Sequence, residues 1–288
     1  MTRHLLKPLS VRMRQVFGFK SCLSAAARRP PSSEGSPFWR TATLLGGLRR
    51  SFATTTEWGR KAAELYQPEY ARRYRAHDDE FEESAPCRQF ADWLAAVCRT
   101  FAEPIDVLDL GCGTGRYFWA LAGVRRLVGL DASASMLAEA RHPFNADRVG
   151  AASVSLIEGD LFEYDFAAGG FDLVYSIGVL AEHVPLNAAI VARVHRWLRT
   201  GGRFAFTTVH PDSPSIPRTA GRTLGRMLLP VTAGAVRRRL HARLLSTGMY
   251  ADEIRIRELL EPRFKIESLV RFESEAHLHG LCVARKSA

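Results

Sequence analysis

The spacing of apolar residues changes repeatedly along the chain after residue 104. Short continuous apolar runs alternate with stretches in which apolar residues recur every three or four positions. The first pattern is typical of buried strands and the second of amphipathic helices. Their alternation predicts right-handed crossovers and a parallel sheet, and therefore an α/β fold. The predicted strands are 105–110, 127–130, 154–157, 171–177 and 203–209, and the predicted helices are 114–122, 133–141 and 186–198.

The carboxyl-terminal part of the chain continues this pattern with one helix and two strands. The predicted helix, 251–260, is stopped by Pro262, and the strands 264–271 and 278–284 follow it. Because only a short connection separates these strands, we expect them to pair antiparallel.

Residues 57–104 precede this core and differ from it in composition. The first part is polar and aromatic, and Pro68 interrupts it, so we expect short helices that form a lid. Apolar side chains between 90 and 101 then share one helical face, which predicts a packing helix ahead of Pro104. The predicted domains are a leading segment 1–56, a lid and packing helix 57–104, and a core 105–288.

A loop with three glycines at alternate positions follows the first predicted strand. It lies in the stretch Val107–Gly115 and contains Gly111, Gly113 and Gly115. Glycine has no Cβ, so such a loop turns sharply and lets a ligand approach the main chain closely. At the end of a parallel strand this is where open α/β sheets bind nucleotide-like ligands. The third glycine comes one position earlier than in dinucleotide-binding loops, which argues against a dinucleotide.

Acidic residues follow the next two predicted strands at the same edge. Asp131 ends the second strand, twenty residues after Gly111, where a carboxylate accepts hydrogen bonds from both ribose hydroxyls of an adenosine. Asp160 ends the third strand, where it is placed to accept the adenine amino group, with the backbone of Leu161 facing the ring. The fourth strand ends at Ser176, beside the same crevice.

As an ordered set, these stretches resemble the class I S-adenosylmethionine-dependent methyltransferases over about residues 70–285. The resemblance implies a Rossmann-like, seven-stranded, mostly parallel sheet with an antiparallel last strand and helices on both faces. It also implies S-adenosylmethionine (SAM) as cofactor and methyl transfer as activity. The stretches that carry it are Val107–Gly115, Gly129–Leu137, Glu158–Leu161, Phe171–Val174 and Leu198–Arg203.

The resemblance also assigns roles to individual residues. Asp109 and the glycine loop would hold the methionine part of the cofactor, Asp131 the ribose, and Met136 one face of the adenine. Asp160 and Leu161 would line the edge of the adenine ring. The predicted cofactor-binding residues are Asp109, Gly111, Cys112, Gly113, Gly115, Asp131, Ala132, Met136, Asp160, Leu161 and Ser176.

Catalysis in this family is largely the positioning of a nucleophile about 3 Å from the reactive methyl group. The candidate general base is His183, which follows the fourth strand; the alternative is that His183 caps or packs the start of the next helix. His210 and Tyr250 are weaker candidates. His277 and His279 share one face of the last strand, and without a third ligand we interpret them as structural rather than metal-binding.

The net charge of +10 is concentrated in the leading segment 1–56, which holds ten Lys or Arg residues against Glu34 alone. This composition, broken by Pro30, Pro31 and Pro37, is typical of an organelle transit peptide, and the run Arg50–Ala53 resembles the mitochondrial processing pattern. The alternative is a disordered basic tail on a cytoplasmic protein. The remaining chain is nearly neutral, and its five scattered cysteines form no zinc or disulfide pattern, which favours a reducing compartment.

A second basic segment, 211–249, interrupts the pattern after the fifth strand. It carries seven arginines against Asp212 alone, interleaved with leucines. Such an insert suits a peripheral membrane contact or an anionic, lipid-like acceptor; the alternative is a solvated face over a helical cap. Nucleic acid is disfavoured because the segment lacks interleaved aromatics. The function hypothesis is methyl transfer from SAM to a small or amphipathic acceptor, and the alternative is a catalytically silent, methyltransferase-like assembly factor.

Overall fold

The computed structural model describes residues 56–81, 84–216, 227, 231, 233, 234, 236, 249–274 and 277–287. The predictions for nearly all of the leading segment 1–56 and for most of the insert 211–249 therefore lie outside the described residues. No helix in the described ranges is long and apolar enough to cross a membrane.

The core of the molecule is one seven-stranded sheet in the order β3-β2-β1-β4-β5-β7-β6. Strands β1 to β5 pair in parallel, and β7 runs antiparallel to both of its neighbours, β5 and β6. This arrangement confirms the predicted sheet and its antiparallel last strand. The strands are β1 Ile105–Leu110, β2 Val124–Asp131, β3 Val154–Glu158, β4 Phe171–Ser176, β5 Leu198–Val209, β6 Phe264–Glu273 and β7 Leu278–Lys286.

Six α-helices with fully described bounds accompany the sheet, and most begin at a side chain that caps their first turn. Thr56, Ser84, Ser133, Asn187 and Asp252 each accept a hydrogen bond from a backbone N–H of the helix that follows. The helices are α1 Glu57–Leu65, α2 Pro68–Phe81, α3 Ala85–Cys98, α4 Ala134–Ala140, α5 Ala188–Trp197 and α6 Glu253–Leu260.

Both faces of the sheet are buried under helices. Successive side chains of a strand point to opposite faces, and in β1 Val107 packs with Leu94 of α3 whereas Leu108 packs with Trp197 of α5. The two hydrophobic clusters therefore lie on opposite sides of one sheet, which is why every residue of β1 is buried.

The predicted helix 114–122 is wrong. The structure has a single 3₁₀ turn, Phe118–Ala120, in its place. Gly115 has φ 74°, a left-handed conformation that a right-handed helix does not contain, and the ring of Phe118 lies where a side chain at Gly115 would be. The crossover from β1 to β2 is therefore a compact loop that packs under α3.

The site is positioned by the order of the strands. From β1 the chain moves outward through β2 and β3, and then returns to β4 on the other side of β1. The connections after β1 and β4 therefore leave in opposite directions and open a crevice at the carboxyl ends of these strands, which is where ligands bind in such sheets.

Candidate functional site

A cavity of about 940 Å³ opens at this crevice. Its floor is the glycine loop after β1 together with the ends of β2, β3 and β4, and its walls come from α1, α2 and the ends of β6 and β7. Of the predicted cofactor-binding residues, the following line it: Asp109, Gly111, Cys112, Gly113, Asp131, Ala132, Met136, Asp160 and Leu161.

Two predicted residues, Gly115 and Ser176, lie outside the cavity wall. Gly115 is covered by Phe118 and Pro143, so its missing Cβ serves packing beneath the loop. Ser176 is fully buried, and its hydroxyl donates a hydrogen bond to the carbonyl of Leu110, 2.8 Å away. The structure therefore places both residues behind the glycine loop, and their assignment to the cofactor stays a prediction.

The glycine loop folds back onto the end of β2. The N–H groups of Gly111 and Cys112 both donate to the carbonyl of Leu130, at 2.8 and 3.1 Å. Gly111 has φ 75°, and a Cβ there would lie 2.6 Å from a methyl group of Val179. The close approach of Val179 therefore requires glycine at this position.

We expect Gly111→Ala to destabilise the fold by about 2 to 4 kcal/mol, because it combines a left-handed backbone with overpacking against Val179. The matched control is Gly123→Ala, where φ is also positive (64°) but no atom lies within 4 Å of the added Cβ. Its expected cost is about 1 to 2 kcal/mol. The free energy of unfolding of both variants is measured in denaturant. If both lost the same amount relative to the wild type, the contact with Val179 would contribute nothing.

Asp131 holds the loop and leaves room for a ligand. Its Oδ2 accepts from the N–H of Gly113 at 2.8 Å, and its Oδ1 accepts from the N–H of Ser133 at 2.9 Å. A carboxylate has about four acceptor positions, so two remain, which fits the two hydroxyls of a ribose. Burial raises the pKa of Asp131, and the hydrogen bonds from the backbone oppose this shift.

Asp109 is buried beneath the loop, and its environment disfavours the charged form. Burial raises its pKa from 3.8 to about 8, and the neighbouring charge of Asp131 acts in the same direction. The hydroxyl of Tyr175 opposes this shift, although the two groups form no hydrogen bond of ordinary geometry. A cationic ligand above the loop would stabilise the carboxylate, so this site favours a positively charged group.

The raised pKa of Asp109 predicts a dependence of stability on pH. The folded state keeps a proton that the unfolded state releases above about pH 4, so the contribution of Asp109 to stability falls as pH rises towards about 8. Asp109→Asn removes this contribution. In thermal unfolding from about pH 5 to about pH 8, we expect the wild type to lose stability relative to the variant. If the difference in stability between the wild type and Asp109→Asn stayed constant across that pH range, the raised pKa of Asp109 would be contradicted.

The carboxylate of Asp160 is bound by the start of α1. Its Oδ2 accepts from the N–H of Thr56 at 2.9 Å and from the hydroxyl of the same residue, while Oδ1 accepts from the N–H of Phe162 at 2.8 Å. Because a carboxylate has about four acceptor positions, these three hydrogen bonds leave Asp160 with one. Thr56 also caps α1, so this helix closes the side of the cavity to which the resemblance assigns the adenine.

A buried ion pair, which was not predicted from the sequence, joins α2 to the glycine loop. Asp78 is 1% exposed; it accepts from the hydroxyl of Thr114 at 2.6 Å and from Nε of Arg116 at 2.5 Å. The guanidinium of Arg116 also lies over the ring of Tyr74, 4.5 Å from its centroid. The sequence feature that could have indicated this contact is the four-residue spacing of Tyr70, Tyr74 and Asp78. This spacing puts all three side chains on one face of α2.

The tyrosines of the lid form an aromatic wall opposite the glycine loop. Tyr66 meets Tyr70 edge to face, with centroids 5.3 Å apart, and Tyr70 stacks on Tyr74 at 6.2 Å. Burial raises the pKa of all three phenols, so they stay neutral. The wall therefore suits a flat or apolar group.

His183 lines the cavity, with 32% of its side chain exposed. Its N–H donates to the carbonyl of Val179 at 2.9 Å, which holds it in the turn after β4. The helix that follows is capped by Asn187 and not by His183. That His183 packs against the start of this helix stays a prediction. A role as general base stays a prediction. His210 and Tyr250 lie outside the cavity wall, whereas His277 and His279 lie in it.

Comparisons with known proteins agree with this geometry. Residues 107–202 match the family model described as a methyltransferase domain. A malonyl-[acyl-carrier protein] O-methyltransferase of Enterobacter lignolyticus is 38% identical over 141 residues, 48% of this chain and 51% of the relative. An arsenite methyltransferase of Aquipseudomonas alcaligenes is 34% identical over 40% of this chain and 36% of the relative. The chain thus spans about half or less of the length of these relatives.

Two solved structures share the fold. The magnesium protoporphyrin IX methyltransferase of Synechocystis, solved with bound SAM, has a TM-score of 0.55 and 16% identity, and the match covers 81% of this chain and 99% of that one. An N-methyltransferase of Bradyrhizobium japonicum, solved with S-adenosylhomocysteine (SAH), has a TM-score of 0.53 and 17% identity over 77% of this chain and 98% of that one. These findings support the resemblance: residues 107–202 of this chain match a methyltransferase domain, and the chain shares the fold of these solved methyltransferases.

Proposed function

We propose that this chain transfers the methyl group of SAM to a small or amphipathic acceptor. The observation that carries the proposal is one cavity lined by the glycine loop, Asp131 and the ends of β6 and β7. The free acceptor positions of Asp131 fit the ribose of a nucleoside, and a cation above the loop would stabilise the charged form of Asp109. The cavity also reaches the ends of β6 and β7, which leaves room for a second molecule.

When bound, SAM supplies a methyl group on a sulfonium, which is electrophilic without further activation. The chain contributes binding and orientation: Asp131 accepts from the ribose, and the glycine loop lets the ligand lie against the main chain. Helices α1 and α2 cover the cavity and exclude water, because Thr56 ties α1 to Asp160 and Asp78 ties α2 to the loop. His183 is the candidate to take a proton from the acceptor.

The relatives support a small acceptor without identifying it. By their names, one acts on a malonyl group carried by acyl-carrier protein and another on arsenite. No described feature favours the catalytically silent alternative, since the loop glycines and Asp131 are all in place. Peripheral membrane contact through 211–249 and a mitochondrial location, with the cytoplasm as alternative, remain part of the proposal, and both are supported by composition alone.

The proposal is tested by following a labelled methyl group. The full chain is incubated with SAM carrying a tritiated methyl and with a cell extract separated into small-molecule, protein and RNA fractions. We expect label in the small-molecule fraction and its loss with Asp131→Ala. Label confined to protein or RNA would refute the acceptor class, and no transfer to any fraction would refute the activity.

A further inference from the structure

Helix α1 is fastened at both ends to segments that carry predicted cofactor-binding residues. At its start, the N–H and the hydroxyl of Thr56 both donate to Oδ2 of Asp160, the N–H at 2.9 Å. At its end, the carbonyl of Tyr66 accepts from the hydroxyl of Ser133 at 2.9 Å. The N–H of Ser133 in turn donates to Asp131. The helix therefore bridges the predicted adenine position and the predicted ribose position.

One face of α1 is turned towards the cavity. Trp58, Ala62 and Tyr66 line the cavity, and because they are four positions apart, they share one side of the helix. Gly59 lines the cavity as well and is buried, whereas residues 60, 61 and 63–65 are exposed. The helix therefore forms a roof over this part of the cavity and has its other side in solvent.

The docking of α1 depends strongly on its ends. All nine residues of the helix are described, and Gly59 alone among them is buried. Besides this, the half-buried Trp58 packs against the core. A helix of this length is marginal by itself in water. Segments with few buried apolar contacts open at a low free-energy cost, so a change at Thr56 or a bound ligand is expected to shift the docking of α1 measurably.

Asp160 has the acceptor positions to bind α1 and a ligand at the same time. Its Oδ2 accepts twice from Thr56, and its Oδ1 accepts once, from the N–H of Phe162 at 2.8 Å. The position that is left is therefore on Oδ1. Three donors hold the carboxylate in one orientation. An acceptor that is held in place before binding loses less freedom when the donor of a ligand arrives.

We propose that Thr56 is a positioning residue for the cofactor: it holds the carboxylate of Asp160 ready for the amino group of the adenine and so couples cofactor binding to the docking of α1. This inference rests on the proposed function and adds a selectivity to it. An amino group donates to the carboxylate, whereas an oxo group in its place presents a second acceptor. A site built around such a hydrogen bond rejects the analogue that lacks the donor.

Calorimetric titration of SAH and of S-inosylhomocysteine, in which an oxo group replaces the adenine amino group, tests this role on the full chain. We expect the wild type to bind SAH at least about tenfold more tightly than the analogue. Thr56→Val should weaken SAH binding at least about fivefold and narrow that preference. Thr56→Ser keeps the N–H and the hydroxyl, so it should bind like the wild type. The control Asn187→Ala removes the cap of α5, outside the cavity wall, and should change neither affinity.

Thr56→Asp separates the contact with Asp160 from the capping of α1. Aspartate is a good N-cap residue, so the helix keeps a capping group. The new carboxylate faces Asp160 with a like charge, and we therefore expect SAH binding to weaken at least as much as in Thr56→Val. Unchanged or tighter binding of SAH by Thr56→Val or Thr56→Asp would overturn the proposal. An equal loss of affinity for SAH and for the inosyl analogue would overturn it as well.

Hydrogen exchange measures the coupling to α1 directly. The N–H groups of Arg60 and Tyr66 donate to carbonyls one helical turn earlier. We expect saturating SAH to slow their exchange in the wild type and in Thr56→Ser, but much less in Thr56→Asp. The same exchange with and without SAH in the wild type would overturn the coupling. If the wild type binds no SAH, the proposed function fails; if SAH binds and the Thr56 variants match the wild type, only the role of Thr56 fails.

Discussion

Replacing Asp131 by alanine is expected to weaken the binding of SAH by roughly 1 to 3 kcal/mol, about 5- to 150-fold. Two effects add. The variant removes the two acceptor positions left for ribose hydroxyls, and it releases the N–H groups of Gly113 and Ser133 that the carboxylate now binds. The glycine loop therefore loses one of its attachments to the end of β2 together with its ligand contact.

Calorimetric titration of SAH onto both proteins measures this effect. Asp147→Ala is the matched control, because Asp147 is exposed and lies outside the cavity wall. The control should bind SAH like the wild type. Asp131→Asn separates the two effects, since the amide keeps one acceptor oxygen and should bind with intermediate affinity. Equal affinities of the wild type and Asp131→Ala would contradict the assignment of the ribose to this residue.

The second large effect is expected at Asp78. Its replacement by alanine leaves Arg116 with an unpaired charge that is mostly buried and leaves the hydroxyl of Thr114 without its acceptor. Breaking a buried ion pair from one side typically costs about 3 to 5 kcal/mol. We expect a loss of this order in the free energy of unfolding, and weaker SAH binding, because α2 is no longer tied to the glycine loop.

The neighbouring residue offers a control of the same type. Asp79 is 63% exposed and pairs with Arg75 on the surface of α2, so Asp79→Ala should cost no more than about 1 kcal/mol. Denaturant unfolding compares the variants. The double variant Asp78→Ala with Arg116→Met should recover part of the loss, because it removes the unpaired charge. Similar small losses for Asp78→Ala and Asp79→Ala would show that the buried pair does not hold the lid.

The strands and the donor end of the site could be predicted because they depend on local patterns. Strands buried on both faces carry short apolar runs, and such runs lie within β1 to β5. The roles of Gly111 and Asp131 could be predicted because Gly111 directly follows one predicted strand and Asp131 ends the next. The prediction of a helix after β1 also failed for a local reason. Gly115 takes a left-handed backbone conformation, which the periodicity of apolar residues does not reveal.

The lid contacts and the acceptor end depend on tertiary structure. Asp78 stands in the polar run His77–Glu80, which resembles a solvated helix face, and only the fold brings Thr114 and Arg116 to it. The contact between Thr56 and Asp160 spans 104 positions.

The central claim is that the cavity is built for a sulfonium nucleoside and not for a dinucleotide. Titration of the full chain with SAM, SAH and NAD⁺ in parallel tests it most directly. The glycine loop and the free acceptor positions of Asp131 predict saturable binding of SAM and SAH at one site and no binding of NAD⁺. Binding of NAD⁺, or failure of the folded protein to bind either SAM or SAH, would contradict it.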